Sequence, residues 1–294
     1  MIGRERPFTT VGATINLFDG EENLETVVRV LKHSVAHINV VYSEEDNRRN
    51  FTNRNAENEV LRLAQLGLVD SWYRYSPTLS VSPMQNECIK RSIGFDILRS
   101  HGLKVGMAVD ADEIYLPCMF EEEIVSSVEE GRVSCVLAPI RSYYKNICWY
   151  YLEDGDFAVP FLFSLDKYKV FSKDYKILYE HNNLRLKVDG SRRCFDMTKE
   201  NSTYIPFYME HLSYIRKDIA LKFATSTCAD NMVNPTVLQT FKEWEPGRMG
   251  AIYKSGYLPV KIRLKLRNEL LHELNGLVPS ISKHFYDGDK NALK

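Results

Sequence analysis

The sequence predicts an α/β fold, a mostly parallel sheet flanked by helices. Three observations lead there. Up to Val109, strand-length apolar runs alternate with helix-length amphipathic ones, the order that builds a parallel sheet covered on both faces. The helical stretches at Asn55 and Met84 run into glycines, Gly67 and Gly102, that stop them. The 294 residues are 44% hydrophobic and 26% charged, an ordinary soluble globular composition with room for one large core.

The elements follow in order. Gly12 to Phe18 (GATINLF) is a buried strand. EENLETVVRVLKHS then carries Leu24, Val27, Val28 and Leu31 at helical spacing. Acids from Asp19 to Glu22 sit where the helix dipole favours them. His37 to Ser43 is the second strand. NAENEVLRLAQLG is the second helix, with Val60, Leu61 and the 63–66 run on its apolar side. VDSWYRY is a third strand. MQNECIKRSIGFDILRSHG is a third helix with Ile89, Ile93 and Ile97 on one stripe, and KVGMAV is a fourth strand that delivers the chain to Asp110.

Beyond it the pattern loosens. VSCVLAPIRSYYKNICWYYLED is rich in aromatic and β-branched residues and reads as strands. Strand-like pieces continue to about Tyr208, and NPTVLQTFKEWEPG reads as helix up to Pro246. The division expected is a catalytic domain over 1–224 and a helical C-terminal elaboration over 225–294 packed on it. Lys plus Arg number 38 against 39 Asp plus Glu, so no global field points to nucleic acid or to an acidic partner. MIGRERPFTT lacks the apolar core of a secretory signal, and no run approaches the length of a membrane span. The six cysteines are scattered without a CxxC pair, as expected of reduced thiols in a cytoplasmic protein.

The chemistry concentrates in VGMAVDADEIYLP, Val105 to Pro117. Asp110, Asp112 and Glu113 crowd three carboxylates into four residues, and something must compensate their charge. Acids are common in turns, so D-x-D alone is weak. Its position is stronger, because open sheets of this kind bind ligands beyond the carboxyl ends of their strands. Paired carboxylates at spacing two suit a hard cation such as Mg²⁺ or Mn²⁺, which keeps its other positions for water and substrate phosphates.

Strand, then VDADEIY, preceded by a helix carrying NECIKRSIGFDIL, resembles the nucleotide-sugar glycosyltransferases of the GT-A fold (family-2-like), which carry D-x-D after the fourth strand. INLFDGEENLETVVRVL is similar to their first strand and helix. The resemblance covers Gly12 to Pro139 and returns at EHLSYIRKDIALK, Glu210 to Lys222. It implies a GT-A-type, Rossmann-like sheet with a β-rich acceptor region. It also implies Mn²⁺ or Mg²⁺ as cofactor and a nucleoside diphosphate sugar, a UDP-sugar first, as donor. Asp112 would ligate the metal. Asp110 would contact the donor ribose or a metal-bound water, and His211 would be a third ligand or a diphosphate contact. Asp19, Glu21 and Ser43 to Asp46 would lie near the nucleobase and ribose. Of Lys90 and Arg91, helical spacing turns at most one to the cleft; Arg91 is the better phosphate fork. YSEEDN departs from the Asp that many relatives carry after the second strand, which leaves the choice of nucleotide open.

The resemblance implies a hydroxyl acceptor, of a saccharide or of a modified nucleic acid. An inverting enzyme needs a carboxylate base; Glu153, Asp154, Asp156, Glu180, Asp196 and Glu210 are the candidates, with Glu210 the one adjoining His211. Trp149 and Tyr151 fall on one face of a strand in SYYKNICWYYLEDGD and offer flat surfaces to a sugar ring or a base. Arg248 to Arg267 holds six basic residues and no acid. LPVKIRLKLRNELLHELNG reads as a helix with an Ile262, Leu266, Leu270, Leu274 stripe and basic rows Lys261/Lys265 and Arg263/Arg267, a candidate face for an anionic surface. A sugar nucleotidyltransferase is the nearest alternative, but the loop after the first strand is acidic where those enzymes are basic and glycine-rich. A non-catalytic nucleotide-sugar or nucleic-acid binding module would not need the intact DAD.

Overall fold

A computed structural model describes residues 7–151, 157–167, 178–181, 184–188, 192, 201–225, 235–243, 264–266 and 269–277. In chain order these form β1 (Phe8–Leu17), α1 (Glu21–Leu31), β2 (Val35–Tyr42), α2 (Asn55–Gln65), β3 (Ser71–Arg74), α3 (Pro83–Ser100), β4 (Val105–Asp110) and β5 (Glu113–Ile114). A single 3₁₀ turn at Pro117–Met119 leads into α4 (Glu122–Glu129). Then come β6 (Cys135–Tyr144), β7 (Asn146–Tyr151), β8 (Phe157–Ser164), β9 (Leu178–His181), β10 (Leu184–Val188), β11 (Ser202–Tyr204) and β12 (Met209–Tyr214). The last described elements are α5 (Ile219–Thr225), α6 (Pro235–Glu243), β13 (Leu264–Leu266) and α7 (Glu269–Leu277).

The first half pairs as a parallel sheet in the order β4-β1-β2-β3. The chain adds β2 and β3 on one side of β1, then returns to place β4 on the other. The carboxyl ends of β1 and β4 therefore diverge into a switch-point crevice, with Asn16 level with Asp110. Gly94 brings α3 down onto the sheet, where any side chain would collide with Thr14 of β1. Val11, Ala13, Ile15 and Leu17 of β1 pack with the α1 stripe Leu24, Val27, Val28 and Leu31 in the main core.

The mostly parallel sheet expected from the sequence is a mixed, curled one. Beyond β4 the neighbours β8, β6, β7 and β13 follow in antiparallel pairs. Parallel neighbours need a crossover of a dozen residues or more, and β6 and β7 are joined through Lys145 alone, at φ 61°. Pro139 marks the curl. Residues Cys135 to Pro139 of β6 pair with β8, whereas Ile140 to Tyr144 pair with β12. Proline donates no backbone hydrogen bond and suits the point where a strand leaves one ladder for another. The short pairing of β12 with β5 then sets His211 opposite Glu113.

Three local readings are corrected. In α3 the fully buried face is Asn86, Lys90, Arg91, Gly94, Phe95 and Leu98, while Ile89, Ile93 and Ile97 are half-buried. In α2 the core takes Ala56, Val60 and Leu63, and Leu61 and Leu66 are exposed. The C-terminal helix read across Ile262 to Leu274 is a strand followed by a helix. Leu264 and Leu266 alternate around Lys265, and β13 completes the open edge of β7 from Trp149 to Tyr151. Leu270 and Leu274 of α7 are buried in the main core. Lys265 thus lies in a strand; Lys261, Ile262, Arg263 and Arg267 lie outside the described residues, so the basic helical face is not formed among those described. No described helix is long and apolar enough to cross a membrane.

Candidate active site

The cleft opens over the carboxyl ends of β1 and β4, with a cavity of about 280 Å³, near the lower end for small-molecule sites. Its walls come from β1 (Asn16, with Phe18 and Asp19 beyond it), α3 (Glu87, Lys90, Arg91), the acidic step Asp110 to Glu113, β12 (His211, Ser213) and the segment into α5 (Arg216, Lys222).

The acidic step is compensated by arginines and a lysine. Arg91 Nη2 donates to Asp110 Oδ1 at 2.9 Å, and Arg192 Nη2 donates to Asp110 Oδ2 at 2.7 Å. Burial alone would raise Asp110; Arg91 and Arg192 outweigh it and bring it down to about 2. Arg192, after β10, is fully buried. Its guanidinium grips Glu113 through two bonds, 2.5 Å to Oε1 and 2.8 Å to Oε2. Glu113 Oε2 also accepts the Asp110 backbone N–H at 3.0 Å and the Tyr115 hydroxyl at 3.1 Å, so it fixes the turn of the step from beneath. Burial pushes Glu113 up from the usual carboxylate range, against the pull of Arg192.

Asp112 is buried among a second cationic set. Its Oδ2 accepts from Arg216 Nη2, with Lys222 Nζ at 3.5 Å and His211 Nε2 at 3.6 Å. Burial would raise Asp112, but Lys222, Arg216 and His211 hold it well below the ordinary value. The backbone locks this corner, since Leu212 N–H donates to Asp112 O at 2.7 Å. The 215–217 segment is tied to the start of α1: Asn23 Nδ2 donates to Ile215 O, and Lys217 N–H donates to Glu22 Oε1. Asp218 caps the next turn by accepting from Leu221 N–H at 2.9 Å, which sets Lys222 on the cleft side of α5.

On the opposite wall both Lys90 and Arg91 line the cleft, although helical spacing predicts at most one there. Long side chains on adjacent positions reach the same space when the helix lies close to the sheet. Lys90 Nζ donates to Leu17 O at 3.2 Å, and burial lowers its pKa. Glu87 joins three elements: it accepts from Asn16 Nδ2 and Asn47 Nδ2, each at 2.8 Å, and from Arg91 Nη2 at 2.9 Å.

Of the residues singled out from sequence, Asp19, Arg91, Asp110, Asp112 and His211 meet in this cleft. Glu21 and Ser43 do not line it: Glu21 accepts from Asn53 Nδ2 at 2.9 Å, and Ser43 Oγ donates to Glu45 O at 2.8 Å. Asp46 folds its own loop by accepting the N–H groups of Asn50 and Phe51. Glu210 alternates with His211 along β12 and is buried away from the cleft, accepting from Arg141 Nη1 at 2.8 Å and the Tyr143 hydroxyl at 2.9 Å. Trp149 packs on the main core from β7. Tyr151 ends β7, with its side chain outside what is described; the side chain of Glu180, in β9, is likewise outside. Glu153, Asp154, Asp156 and Asp196 lie outside the described residues.

Sequence reasoning missed Glu87, Arg192, Arg216 and Lys222. The last two lie in the Glu210 to Lys222 segment, and an Asp218 cap four residues before Lys222 was a readable signal. Arg192 had none. The carboxylate oxygen of Asp112 and the imidazole nitrogen of His211, 3.6 Å apart, share one wall of the cleft. Among the described residues no three His, Cys, Asp or Glu side chains cluster closely enough to hold a metal on their own. Such an ion would take its remaining ligands from water and substrate phosphate.

No protein-family model matches this chain, and no curated protein matches it. Among solved structures, the crystal structure of mannose-1-phosphate geranyltransferase from Thermus thermophilus is similar at 10% identity and a TM-score of 0.30. The overlap spans 49% of this chain and 48% of that one, and a likeness so slight carries no argument about fold or chemistry.

Proposed function

We propose that this chain is a glycosyltransferase that moves a sugar from a nucleoside diphosphate donor to a hydroxyl acceptor, a saccharide in the first instance, with a divalent cation at the acidic step. The observation that carries the reading is the cleft itself. A carboxylate and imidazole pair, Asp112 and His211, lies beside the cations Arg91, Arg216 and Lys222 at the carboxyl ends of β1 and β4. Candidate ligands for a cation and candidate partners for a diphosphate thus share one cleft. Bound there, Mn²⁺ or Mg²⁺ supplies charge against the negative charge that develops on the departing diphosphate.

The protein's part is orientation. Asp112 and His211 are the groups that hold the cation. Asp110, kept ionised by Arg91 and Arg192, is a fixed acceptor for a ribose hydroxyl or a coordinated water. Arg216 and Lys222 are the phosphate partners, and Asp19 with Glu87 and its two amides faces the nucleoside end. The test is incubation with UDP-, GDP- and dTDP-sugars plus Mn²⁺, measuring nucleotide release. Asp112→Ala and EDTA are each expected to lower release by about 10² or more. Folded protein that releases nucleotide from none of these donors above the protein-free rate overturns the proposal.

A further inference from the structure

Arg216 is a buried cation on the cleft wall. Its side chain is 3% exposed, and only Nη2 has a hydrogen-bond partner, Asp112; Nε and Nη1 are buried with none among the described residues. Buried donors without acceptors are costly, and a guanidinium with two to spare is poised for an anion. The fold makes room for it. Gly20, at φ 81°, is the N-cap of α1, and a Cβ there would collide with the Arg216 guanidinium. Lys222 approaches the same Asp112 oxygen, and its pKa is raised because Asp112 and Asp19 outweigh the effect of burial. Both candidate phosphate partners are therefore drawn towards the carboxylate that is also the candidate metal ligand, Arg216 through Nη2 alone.

We infer that Arg216 and Lys222 form an anion site for a diphosphate, and that Asp112 masks it in the empty cleft by acting as an internal competitor. The inference rests on the proposed donor class but concerns how the site is opened. A cation that takes Asp112 frees Arg216 and Lys222, while a diphosphate that takes the two bases frees Asp112. Each ligand removes the partner that holds the other's groups, so the two bind cooperatively through exchange of ion pairs. Metal-free diphosphate meets an occupied site and binds weakly.

The experiment is calorimetric titration in EDTA at fixed ionic strength, with inorganic pyrophosphate and with UDP as probes, on protein checked for folding by circular dichroism. Asp112→Asn, with Asp112→Ala as a second variant, is expected to bind pyrophosphate about tenfold or more tightly than the unaltered chain, the scale of one charge-assisted hydrogen bond regained. Adding Arg216→Gln or Lys222→Gln to Asp112→Asn should remove the gain. Asp19→Asn changes the local field without releasing an ion pair to Arg216 and should give a clearly smaller gain. Equal gains from Asp19→Asn and Asp112→Asn, or no gain in folded Asp112→Asn and Asp112→Ala, overturn the masking. If pyrophosphate shows the gain but UDP binds no better than pyrophosphate, masking stands and the nucleotide-sugar reading falls. If UDP binds tightly and pyrophosphate shows no gain, masking falls alone.

Discussion

Replacing Arg192 by methionine removes the one described cation that touches both Glu113 and Asp110. The side chain is 1% exposed and Glu113 is 3% exposed, so neither partner gains water when the guanidinium goes. Breaking a buried pair by deleting one member costs on the order of 3–5 kcal/mol, because the remaining charge is left uncompensated. Asp110 keeps Arg91 as a partner, so most of that penalty falls on Glu113. It also depends on pH. A carboxyl whose folded pKa is raised holds its proton more tightly folded than unfolded; its contribution favours the fold at low pH and is lost as pH rises through the folded value. Burial already raises Glu113 and Arg192 is the largest influence against that rise, so without Arg192 the carboxyl rises further. Arg192→Met should therefore cost less at pH 5 than at pH 8, read by urea unfolding with an unchanged slope. Arg192→Met/Glu113→Gln should recover most of the loss at pH 8, since the amide oxygen still accepts the Asp110 N–H. A uniform loss at both pH values, or no recovery in the double variant, refutes the claim that Arg192 stabilises the step by compensating Glu113.

Further outcomes are expected at the cleft and behind it. His211→Ala should weaken apparent Mn²⁺ affinity about tenfold while leaving the melting temperature nearly unchanged, because the side chain is 24% exposed; a fall in melting temperature with metal affinity intact would assign it to packing. Glu210→Gln should lower stability by about 1–3 kcal/mol through its bonds to Arg141 and Tyr143, yet leave turnover far from the 10²–10⁴-fold loss of a general base; a loss of that size with the fold intact would return Glu210 to catalysis. Gly20→Ala should cost about 1–2 kcal/mol for its left-handed backbone and, by displacing Arg216, weaken UDP binding in the presence of Mn²⁺. Unfolding midpoints and calorimetry on the same preparation separate the two effects, and unchanged UDP affinity would show that Arg216 does not need the space.

The parallel half was legible because each of its elements repeats one period. Leu24, Val27, Val28 and Leu31 mark α1, and a run such as VGMAVD has one plausible conformation between two turn signals. The acidic step could be found for the same reason, as a polar break at the end of a buried strand. What failed depended on partners distant in sequence. KIRLKLRNELL satisfies a helical stripe and a two-residue alternation equally well over its first half, and the open edge of β7 chose the strand for Leu264–Leu266. The isoleucine stripe of α3 yielded the buried face to Lys90 and Arg91 because the crevice below offered Leu17 O and the carboxylate of Asp110, which no local pattern encodes. Arg192, some eighty residues from the carboxylates it pairs with, could be found only once the chain had folded.

The crowding of three carboxylates into four residues is stable because cations meet them from every side. Around the cleft, Asp19, Glu87, Asp110, Asp112 and Glu113 face Lys90, Arg91, Arg192, Arg216 and Lys222, so acids and bases are matched in number among the described residues. That balance has a consequence for ligands. On the proposed reading, a diphosphate alone brings negative charge among these matched side chains, and a divalent cation alone brings positive charge; each addition is opposed by desolvation. Together they add little net charge, and each takes over an ion-pair partner that the other needs released. On that reading, such a cleft would favour the pair over free phosphate or free metal. Within the proposed reaction the same arrangement limits what product can linger. Once the sugar has left, the cation and the nucleoside diphosphate are held by groups that regain one another as the ligands depart, with Arg216 and Lys222 closing again on Asp112.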